Sequence, residues 1–382
     1  MRRTSSILEG KEIILGITGS VAAVEDVRLA HALRRRGARV RAVMTAAACG
    51  IVHPDAITYA TGAETITRCT GLVEHVTYCG DGGSADLLLI APATANTLCK
   101  IAHGIDDTPV TTFATTALGS GMPVVIVPAM HESMYRHPGV VRCLALLKEW
   151  GITIVEPRIE EGKAKIADIG EIVIEAERAV SGRPLEGRRV LVTSGPCREE
   201  VDDVRVLTTR SSGRMGEELS LQAYRLGADV SVVHSGRVPC VRNVHAETAA
   251  EMREAVHRIC RDGQIDYYIS AAAISDFVPR RHEGKIRSGE EVILELVPQP
   301  KILREVLEAA YRPGCVVAFK LGWDAETAAR DLLDQGADMV AANTPDTLGA
   351  PSGRYLLIGR DERREIEGTK DTIAAGIWDA LL

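Results

Sequence analysis

Apolar and polar positions along the N-terminal half predict a strand, a loop, a helix and a second strand. The apolar runs at 12–15 and 39–43 have the length of buried strands, and residues 27–36 carry apolar side chains at helical spacing. Gly37 ends this helix, and the small residues 16–22 form the loop before it. The pattern predicts a β-α-β unit of a doubly wound domain.

The C-terminal half repeats this order. An apolar strand is predicted at 190–193, and a helix that stops at Gly227 precedes a strand at 229–233. The loop 211–216, rich in Ser and Gly, leads into that helix, where free N–H groups favour phosphate. Alone, such a loop is equally typical of an ordinary cap. The repetition favours two doubly wound α/β domains, the second Rossmann-like.

Two further apolar runs end in small and polar residues. The run 84–90 leads into Ala-Pro-Ala-Thr-Ala-Asn at 91–96 and a helix at 97–102, and the run 123–127 leads into Pro-Ala-Met-His at 128–131. Small residues let a flat ring or a phosphate approach the backbone closely, while the threonine and asparagine offer hydroxyl and amide donors.

The length of 382 residues predicts two domains rather than one core. A last helix of the first domain is predicted at 171–180, and a short linker at 181–184. We therefore expect one domain at 1–182 and another at 186–382.

Composition narrows the classes of function. A net charge of -7 argues against general nucleic-acid binding, and no apolar run reaches the length of about 18 residues that spans a membrane. The first ten residues lack the apolar core of a signal peptide, so a cytoplasmic protein is expected. Cys69, His75 and Cys79 lack a second ligand pair at zinc spacing, so the nine cysteines are expected to be buried thiols.

The first half resembles a known family in its motifs. LLLIAPATANTLCKIAHGIDDT at 87–108 and VVIVPAMHESMY at 124–135 are similar to the flavin-dependent cysteine decarboxylases, whose motifs are PATAN and PAMN. The resemblance covers about 12–156 and implies a flavodoxin-like fold that binds FMN.

This resemblance implies roles for single residues. His75 is expected to act in the flavin-linked oxidation of the substrate thiol, Asn96 to hold the substrate carboxylate, and Met130 and His131 to contact the substrate. Without the motif, His75 would be taken as a structural histidine. The residues expected to bind FMN are Gly19, Ser20, Thr45, Thr94 and Ala95.

Two departures from the family pattern stand in this half. His131 replaces the asparagine of PAMN, and no cysteine occurs between Cys143 and Cys197, where bacterial members have a flap cysteine that reprotonates the enethiolate. The form EGKAKIAD at 161–168 looks like the archaeal branch. Lys163 and Lys165 are candidates for the missing proton donor.

The second half resembles the phosphopantothenate–cysteine ligase domain. GRRVLVTSGPCREEVDDVRVLTTRSSGRMG at 187–216 opens a similarity that covers nearly all of 188–382. It implies that CTP activates 4'-phosphopantothenate as an acyl-cytidylate, with Mg2+ or Mn2+ on the triphosphate and Lys285 as a nucleotide-binding cation. The other residues expected at the nucleotide and substrate are Ser212, Gly213, Ala271, Ala272, Asp276, Pro300, Lys301, Ile302, Leu303, Phe319 and Asn343.

Departures occur in this half as well. Thr209 stands where the family has an asparagine before the SSG motif, and a hydroxyl cannot reproduce the paired donor and acceptor of an amide. The two lysines of the helix after Phe319 are absent; Arg330, Lys320 and Lys370 are the nearby cations.

The whole chain thus resembles the bifunctional enzymes of coenzyme A biosynthesis. The expected reactions join cysteine to 4'-phosphopantothenate with CTP and decarboxylate the product to 4'-phosphopantetheine. The resemblance also implies trimeric flavin domains, dimeric ligase domains and a dodecamer.

Three alternatives remain open. One of the two activities is lost; the chain is a non-catalytic nucleotide sensor of the same fold; or it is an NAD(P)-dependent oxidoreductase. The last alternative is disfavoured because the loop 16–22 lacks three glycines and Met44 is not followed by an acidic residue.

Overall fold

The structure is a computed structural model that describes residues 7–289, 291–347, 349–360 and 362–382. The chain divides into two compact units, the first ending at Arg183 and the second beginning at Pro184. The predicted start of the first domain, at residue 1, lies outside the described residues.

The first unit contains a five-stranded parallel sheet in the order β2-β1-β3-β4-β6. This is the order of the flavodoxin-like doubly wound fold. The strands are β1 Glu12–Ile17, β2 Arg39–Met44, β3 Leu87–Ala93, β4 Val124–Pro128, β5 Met130–His131, β6 Thr153–Ile154, β7 Arg158–Glu160 and β8 Lys163–Lys165. The helices are α1 Asp26–Arg35, α2 Ala46–Cys49, α3 Pro54–Thr61, α4 Glu74–Cys79, α5 Ala95–Ala102, α6 Pro109–Gly119, α7 Glu132–Tyr135, α8 Pro138–Glu149 and α9 Ile169–Val180.

Alternate side chains of β1 build two cores, one on each face of this sheet. Ile13 and Leu15 belong to the cluster that includes α1 and α9, whereas Ile14 belongs to the cluster of α5, α6 and α8. Because both faces are buried, the central strands are continuously apolar rather than alternating.

The second unit contains an eight-stranded sheet in the order β13-β12-β9-β14-β17-β18-β19-β20. The first six strands in this order are parallel and follow the Rossmann order 3-2-1-4-5-6; the last two are antiparallel. The strands are β9 Arg189–Thr193, β10 Arg198–Glu200, β11 Val206–Thr208, β12 Asp229–His234, β13 Arg242–His245, β14 Tyr267–Ser270, β15 Phe277–Pro279, β16 Leu296–Pro298, β17 Cys315–Leu321, β18 Met339–Asn343, β19 Ser352–Ile358 and β20 Arg363–Thr369. The helices are α10 Arg214–Arg225, α11 Ala249–Arg261, α12 Ile302–Glu308, α13 Ala325–Asp334 and α14 Lys370–Leu381.

Helix α14 closes one side of this second sheet. Trp378 is fully buried, donates its indole N–H to the Leu219 carbonyl at 2.9 Å, and meets the Tyr267 ring edge-on at 5.4 Å. The opposite face is covered by α11 and α12. Both doubly wound units therefore carry helices on two faces, as the apolar pattern predicts.

Element boundaries differ from the prediction at several ends. The strand predicted at 84–90 is β3, which starts and ends three residues later, because Asp86 occupies its start by accepting from Lys11 Nζ and the Glu12 N–H, both at 2.8 Å. The helix predicted at 97–102 begins at Ala95, since Thr94 caps it. The end of β3 and the start of α5 belong to the carboxyl edge of the sheet, where ligands bind.

Candidate active sites

Three helix N-termini meet the carboxyl edge of the first sheet, one after each of the adjacent strands β2, β1 and β3. Ser20 caps a 3-10 helix at Val21–Glu25, Thr45 caps α2, and Thr94 caps α5, each hydroxyl accepting a backbone N–H at 3.2–3.4 Å. A helix N-terminus presents free N–H groups and the positive end of its dipole. The arrangement suits an anionic group.

The loops after β1 and β3 are joined by Thr18, which the sequence interpretation did not single out. Its fully buried hydroxyl donates to the Pro92 carbonyl at 2.7 Å and accepts from the Thr94 N–H at 3.0 Å. Gly19 beside it has no room for a side chain, because a Cβ would come within 2.6 Å of the Ala47 Cβ. This junction lies where the strand order reverses, the usual ligand position in such sheets.

A cavity of about 730 Å³ opens in the first unit, a volume typical of small-molecule pockets. Ser20, Met130 and His131, predicted as site residues, line it together with the two candidate proton donors, Lys163 and Lys165. The other predicted residues of this half do not line it: Gly19, Thr45, His75, Thr94, Ala95 and Asn96.

His75 and Asn96 lie elsewhere in the first unit. His75, in α4, is half-buried with its ring edge-on to Phe113 at 6.4 Å, and its buried Nδ1 has no hydrogen-bond partner among the described residues. Asn96 is exposed in the first turn of α5. Buried side-chain nitrogens normally have a hydrogen-bond partner, so the orphaned Nδ1 suits a ligand contact.

A β-hairpin borders the cavity where the family pattern has its flap. Strands β7 and β8 form this hairpin, and β8 pairs with β5 so that Lys163 lies opposite His131. Lys165 donates to Glu160 and Glu161, both at 3.1 Å, and these hydrogen bonds raise the pKa of Lys165. The two candidate lysines thus differ, because Lys165 is held in ion pairs and the side chain of Lys163 is not, within the described residues.

In the second unit, the loop after β9 packs tightly against the start of α10. Ser194 Oγ donates to the Gly213 carbonyl at 2.9 Å. Gly213 has a positive φ of 75°, and a Cβ at this position would come within 3.0 Å of the Gly195 Cα. A Cβ on Gly216 would overlap the Ser194 side chain. No described side chain caps α10, so its first N–H groups remain available to a phosphate.

The carboxyl end of β14 joins the same cradle. The Ala273 N–H donates to the Gly195 carbonyl at 3.0 Å, and Thr209 Oγ1 donates to the Ala273 carbonyl at 3.5 Å. Ala271 and Ala272 directly precede this contact. As in the first unit, the contact joins the two strands between which the strand order reverses.

Asp276 and the segment that begins α12 lie together. The Asp276 carbonyl accepts from the Gln299 N–H at 3.0 Å, and Lys301 Nζ lies 3.8 Å from Asp276 Oδ1. Asp276 does not cap a helix, because the strand β15 follows it. Ile302 is a buried core residue, with Leu303 packed beside it, so both support the site rather than face a ligand.

Lys285 is exposed, and Asp202 organises the segment that carries it. The Asp202 carboxylate accepts from the Val204, Arg205 and Ile286 N–H groups at 2.7–3.0 Å and pairs with the Arg205 side chain. Burial opposes the charge, but these hydrogen bonds outweigh it and lower the pKa of Asp202 well below its usual value. The sequence interpretation did not single out Asp202.

Phe319 and Asn343 occupy the carboxyl ends of β17 and β18. The Phe319 ring meets Tyr355 edge-on at 6.1 Å, and Lys370 Nζ lies over the Tyr355 ring, 5.1 Å from its centroid. Burial lowers the pKa of Lys370. Of the three cations named as substitutes for the missing helix lysines, Lys370 contacts this cluster, whereas Arg330 is exposed and pairs with Glu326 at 3.5 Å.

The described part of the chain contains no cluster of three or more His, Cys, Asp and Glu side chains suited to a metal ion. None of its helices has the length and apolar character needed to cross a membrane. All nine cysteines are free thiols, but the expectation that they are buried holds for only four, Cys79, Cys143, Cys197 and Cys260; the other five are partly exposed.

Fold and site together define a flavoprotein domain joined to a second nucleotide-type domain. The family model named Flavoprotein matches residues 1–181, and the model named DNA/pantothenate metabolism flavoprotein C-terminal domain matches residues 185–382.

Curated relatives match along almost the whole chain. The coenzyme A biosynthesis bifunctional protein CoaBC of Thermococcus kodakarensis is 44% identical, covering 98% of this chain and 95% of the relative. The protein of the same name from Methanocaldococcus jannaschii is 35% identical, with 99% and 94% covered, and that of Bacillus subtilis is 33% identical, with 91% and 89% covered.

The chain belongs to the family of coenzyme A biosynthesis bifunctional proteins CoaBC. It is a bifunctional enzyme with phosphopantothenoylcysteine decarboxylase and phosphopantothenate–cysteine ligase activities.

Proposed function

We propose that the second unit joins cysteine to 4'-phosphopantothenate at the expense of CTP, and that the first unit decarboxylates the product with FMN to give 4'-phosphopantetheine. One observation carries this proposal: in each unit, loops of small residues meet at the point where the strand order reverses. In the first unit Thr18 donates a hydrogen bond to the Pro92 carbonyl, and in the second the Ala273 N–H donates to the Gly195 carbonyl. Family membership supplies the two reactions.

The residues of the first unit fit FMN. The hydroxyl-capped N-termini at Ser20, Thr45 and Thr94 offer N–H donors to its phosphate, while Gly19 and Ala95 allow close backbone approach. Bound FMN would supply the two-electron oxidation of the substrate thiol and its later reversal.

The protein's own groups then handle substrate protons and charge. Loss of CO2 from a plain cysteine carboxylate would leave electrons with no acceptor, so the thiol must be oxidised first. His75, with its unpartnered Nδ1, takes a proton during that oxidation, and the exposed Asn96 amide holds the substrate carboxylate.

In the second unit, cations and N–H groups offset the repulsion between two anions. The substrate carboxylate attacks the α-phosphate of CTP, pyrophosphate leaves, and the cysteine amine then displaces CMP from the acyl-cytidylate. Lys285 and the uncapped start of α10, with Ser212 and Gly213, hold the triphosphate together with Mg2+ or Mn2+. Ala271, Ala272, Asp276, Phe319 and Asn343 surround the nucleoside and substrate, and the segment Pro300, Lys301, Ile302 and Leu303 supports them.

Exposed apolar residues support assembly of each unit with further copies. In the first unit Val21 and Leu72 are 79% and 78% exposed, and in the second unit Ile293 is 96% exposed. We propose that the first unit forms trimeric contacts and the second unit forms dimeric contacts, and that the two together build a dodecamer. Sedimentation of the purified protein measures this directly, and a monomer would contradict it.

An isotope label tests the ligase chemistry. With oxygen-18 in the carboxylate of 4'-phosphopantothenate, the acyl-cytidylate route predicts one labelled oxygen in CMP. The reason is that the bridging carboxylate oxygen stays on phosphorus when the cysteine amine attacks the acyl carbon and CMP leaves. Label found in inorganic phosphate, with CDP formed instead, would contradict the proposal.

A further inference from the structure

The decarboxylase reaction needs a proton donor. When CO2 leaves, its bonding electron pair stays on the substrate carbon, and a proton must replace the lost carboxylate. The chain has no cysteine between Cys143 and Cys197, so the hairpin beside the cavity offers no thiol for this step. Met130 and His131, which are expected to contact the substrate, line this cavity, so the donor is expected among the side chains that line it.

Most ionisable side chains that line the cavity are held in ion pairs. Arg28 pairs with Glu25 at 3.1 Å. Arg158 pairs with Asp168 at 3.3 Å. Guanidinium groups keep their proton in proteins, and Lys165, bound to two glutamates, releases its proton less readily than a free lysine. These contacts leave His131 and Lys163.

His131 has the contacts of a proton donor. Its Nδ1 lies 2.9 Å from Ser133 Oγ and 3.3 Å from the Ser133 N, so the ring is oriented by this residue at the start of α7. Nδ1 accepts from the Ser133 N–H in the resting ring, and the Ser133 hydroxyl can accept from Nδ1–H whenever Nδ1 is protonated, including in the neutral ring that has lost its Nε2 proton. Nε2 makes no hydrogen bond within the described residues, which leaves it free for a substrate.

Lys163 is the second candidate, because the β5–β8 pairing places it opposite His131. Its side chain makes no hydrogen bond or ion pair within the described ranges. No described residue orients its ammonium group, whereas Ser133 fixes the His131 ring, so the histidine is the better positioned of the two donors.

We infer that His131 is the catalytic acid of the decarboxylase, and that it donates its Nε2 proton to the carbon from which CO2 has left. The inference rests on the proposed function of the first unit. The imidazolium becomes a neutral ring that keeps Nδ1–H on Ser133, the new C–H bond takes the electron pair that CO2 left behind, and water restores the proton. The electrons taken by FMN in the oxidation return to the substrate, so the net change is one proton gained and one CO2 lost.

The test compares His131→Asn with His137→Asn. Both histidines cap a helix through Nδ1, and asparagine caps equally well, so both variants should keep the fold. In His131→Asn we expect phosphopantothenoylcysteine to release CO2 on the first turnover while 4'-phosphopantetheine formation falls at least about a hundredfold. A product lighter by two hydrogen atoms should accumulate, with the flavin left reduced. His137 does not line the cavity, so His137→Asn should leave the formation of 4'-phosphopantetheine unchanged.

Other outcomes overturn the inference. Equal loss of CO2 and thiol product in His131→Asn would mean that His131 has a structural role. If CO2 and the product lighter by two hydrogen atoms appear in Lys163→Met instead, Lys163 is the donor. If the unmodified enzyme releases no CO2, the proposed function itself fails.

A measurement on the flavin-free protein gives an independent readout. Nitrogen-15 NMR should show the His131 Nδ1 hydrogen-bonded to Ser133 and Nε2 carrying the proton that the proposed step donates. A ring whose Nε2 carries no proton would overturn the inference.

Discussion

The carboxylate of Asp26 is fully buried at the start of α1, and neither of its oxygens has a hydrogen-bond partner among the described residues. Burial, and then repulsion from Glu25, raises the pKa of Asp26 well above its usual value. Because the pKa of Asp26 is higher in the folded than in the unfolded protein, the free energy of unfolding is highest below about pH 4, the pKa of an unfolded aspartate. It falls as pH rises through the folded pKa.

Asp26→Asn should therefore stabilise the protein at pH 8 by about 1–3 kcal/mol, and by little at pH 4. Thermal unfolding of the full chain at both pH values measures this. Asp55→Asn, in the first turn of α3 but exposed, is the matched control and should show no such pH-dependent gain. A loss of stability in Asp26→Asn at pH 8 would mean that the charged form has a partner.

Gly216 carries a second prediction at this scale. Gly216→Ala places a Cβ against Ser194, whose hydroxyl orders the Gly213 carbonyl, so we expect a loss of about 1–3 kcal/mol and weaker CTP binding. Gly170→Ala, in α9 with open space around it, should instead gain about 0.5–1 kcal/mol. Calorimetry of unfolding and of CTP binding checks both, and equal behaviour of the two variants would contradict the packing argument.

Residue identities at the sites were partly predictable from sequence. Ser20, Met130 and His131 were named from motifs, and the structure brings them to one cavity. Thr18 and Asp202 were missed because their roles depend on partners 74 and 84 residues away along the chain, which no local pattern reveals.

At the scale of elements, one carboxylate holds together the turn after β10 and the segment that precedes β16. Asp202 accepts from N–H groups of both, and so positions Lys285. Its lowered pKa means that this contribution to stability is present above about pH 4 and is lost as pH falls through the folded pKa.

Asp202→Asn should reduce CTP-dependent pyrophosphate release by up to roughly a hundredfold, since an amide NH2 would face donors at Ile286 or Arg205. Decarboxylation of supplied phosphopantothenoylcysteine should not change. Asp203→Asn, which removes only an exposed ion pair with Arg281 at 2.8 Å, is the control. Equal pyrophosphate release in both variants would show that Asp202 does not position the lysine.

Elements themselves were predicted well where the chain repeats a strand, a loop and a helix. The order of strands in each sheet followed from the flavodoxin-like and Rossmann-like fold classes and not from the local pattern, because it depends on long-range pairing; β1 lies between β2 and β3, and β9 between β12 and β14. Strand ends were also misplaced at β3, where the apolar run continues through Pro92.

At the scale of the whole molecule, two units with separate cores imply two reactions that can be uncoupled. Lys285→Gln should stop ligation while sparing decarboxylation, and His75→Gln should do the reverse. Mixing the two inactive variants should restore 4'-phosphopantetheine formation from 4'-phosphopantothenate, because the intermediate can diffuse between chains. No product from the mixture would mean that the intermediate must stay within one chain.

The most direct measurement of the central claim follows products by mass after the purified protein is incubated with 4'-phosphopantothenate, cysteine, CTP, Mg2+ and FMN. A bifunctional enzyme of this kind predicts 4'-phosphopantetheine, with CMP, pyrophosphate and CO2 formed in equal amounts. Accumulation of phosphopantothenoylcysteine alone, or its absence while the protein remains folded, would contradict the claim that both units are active.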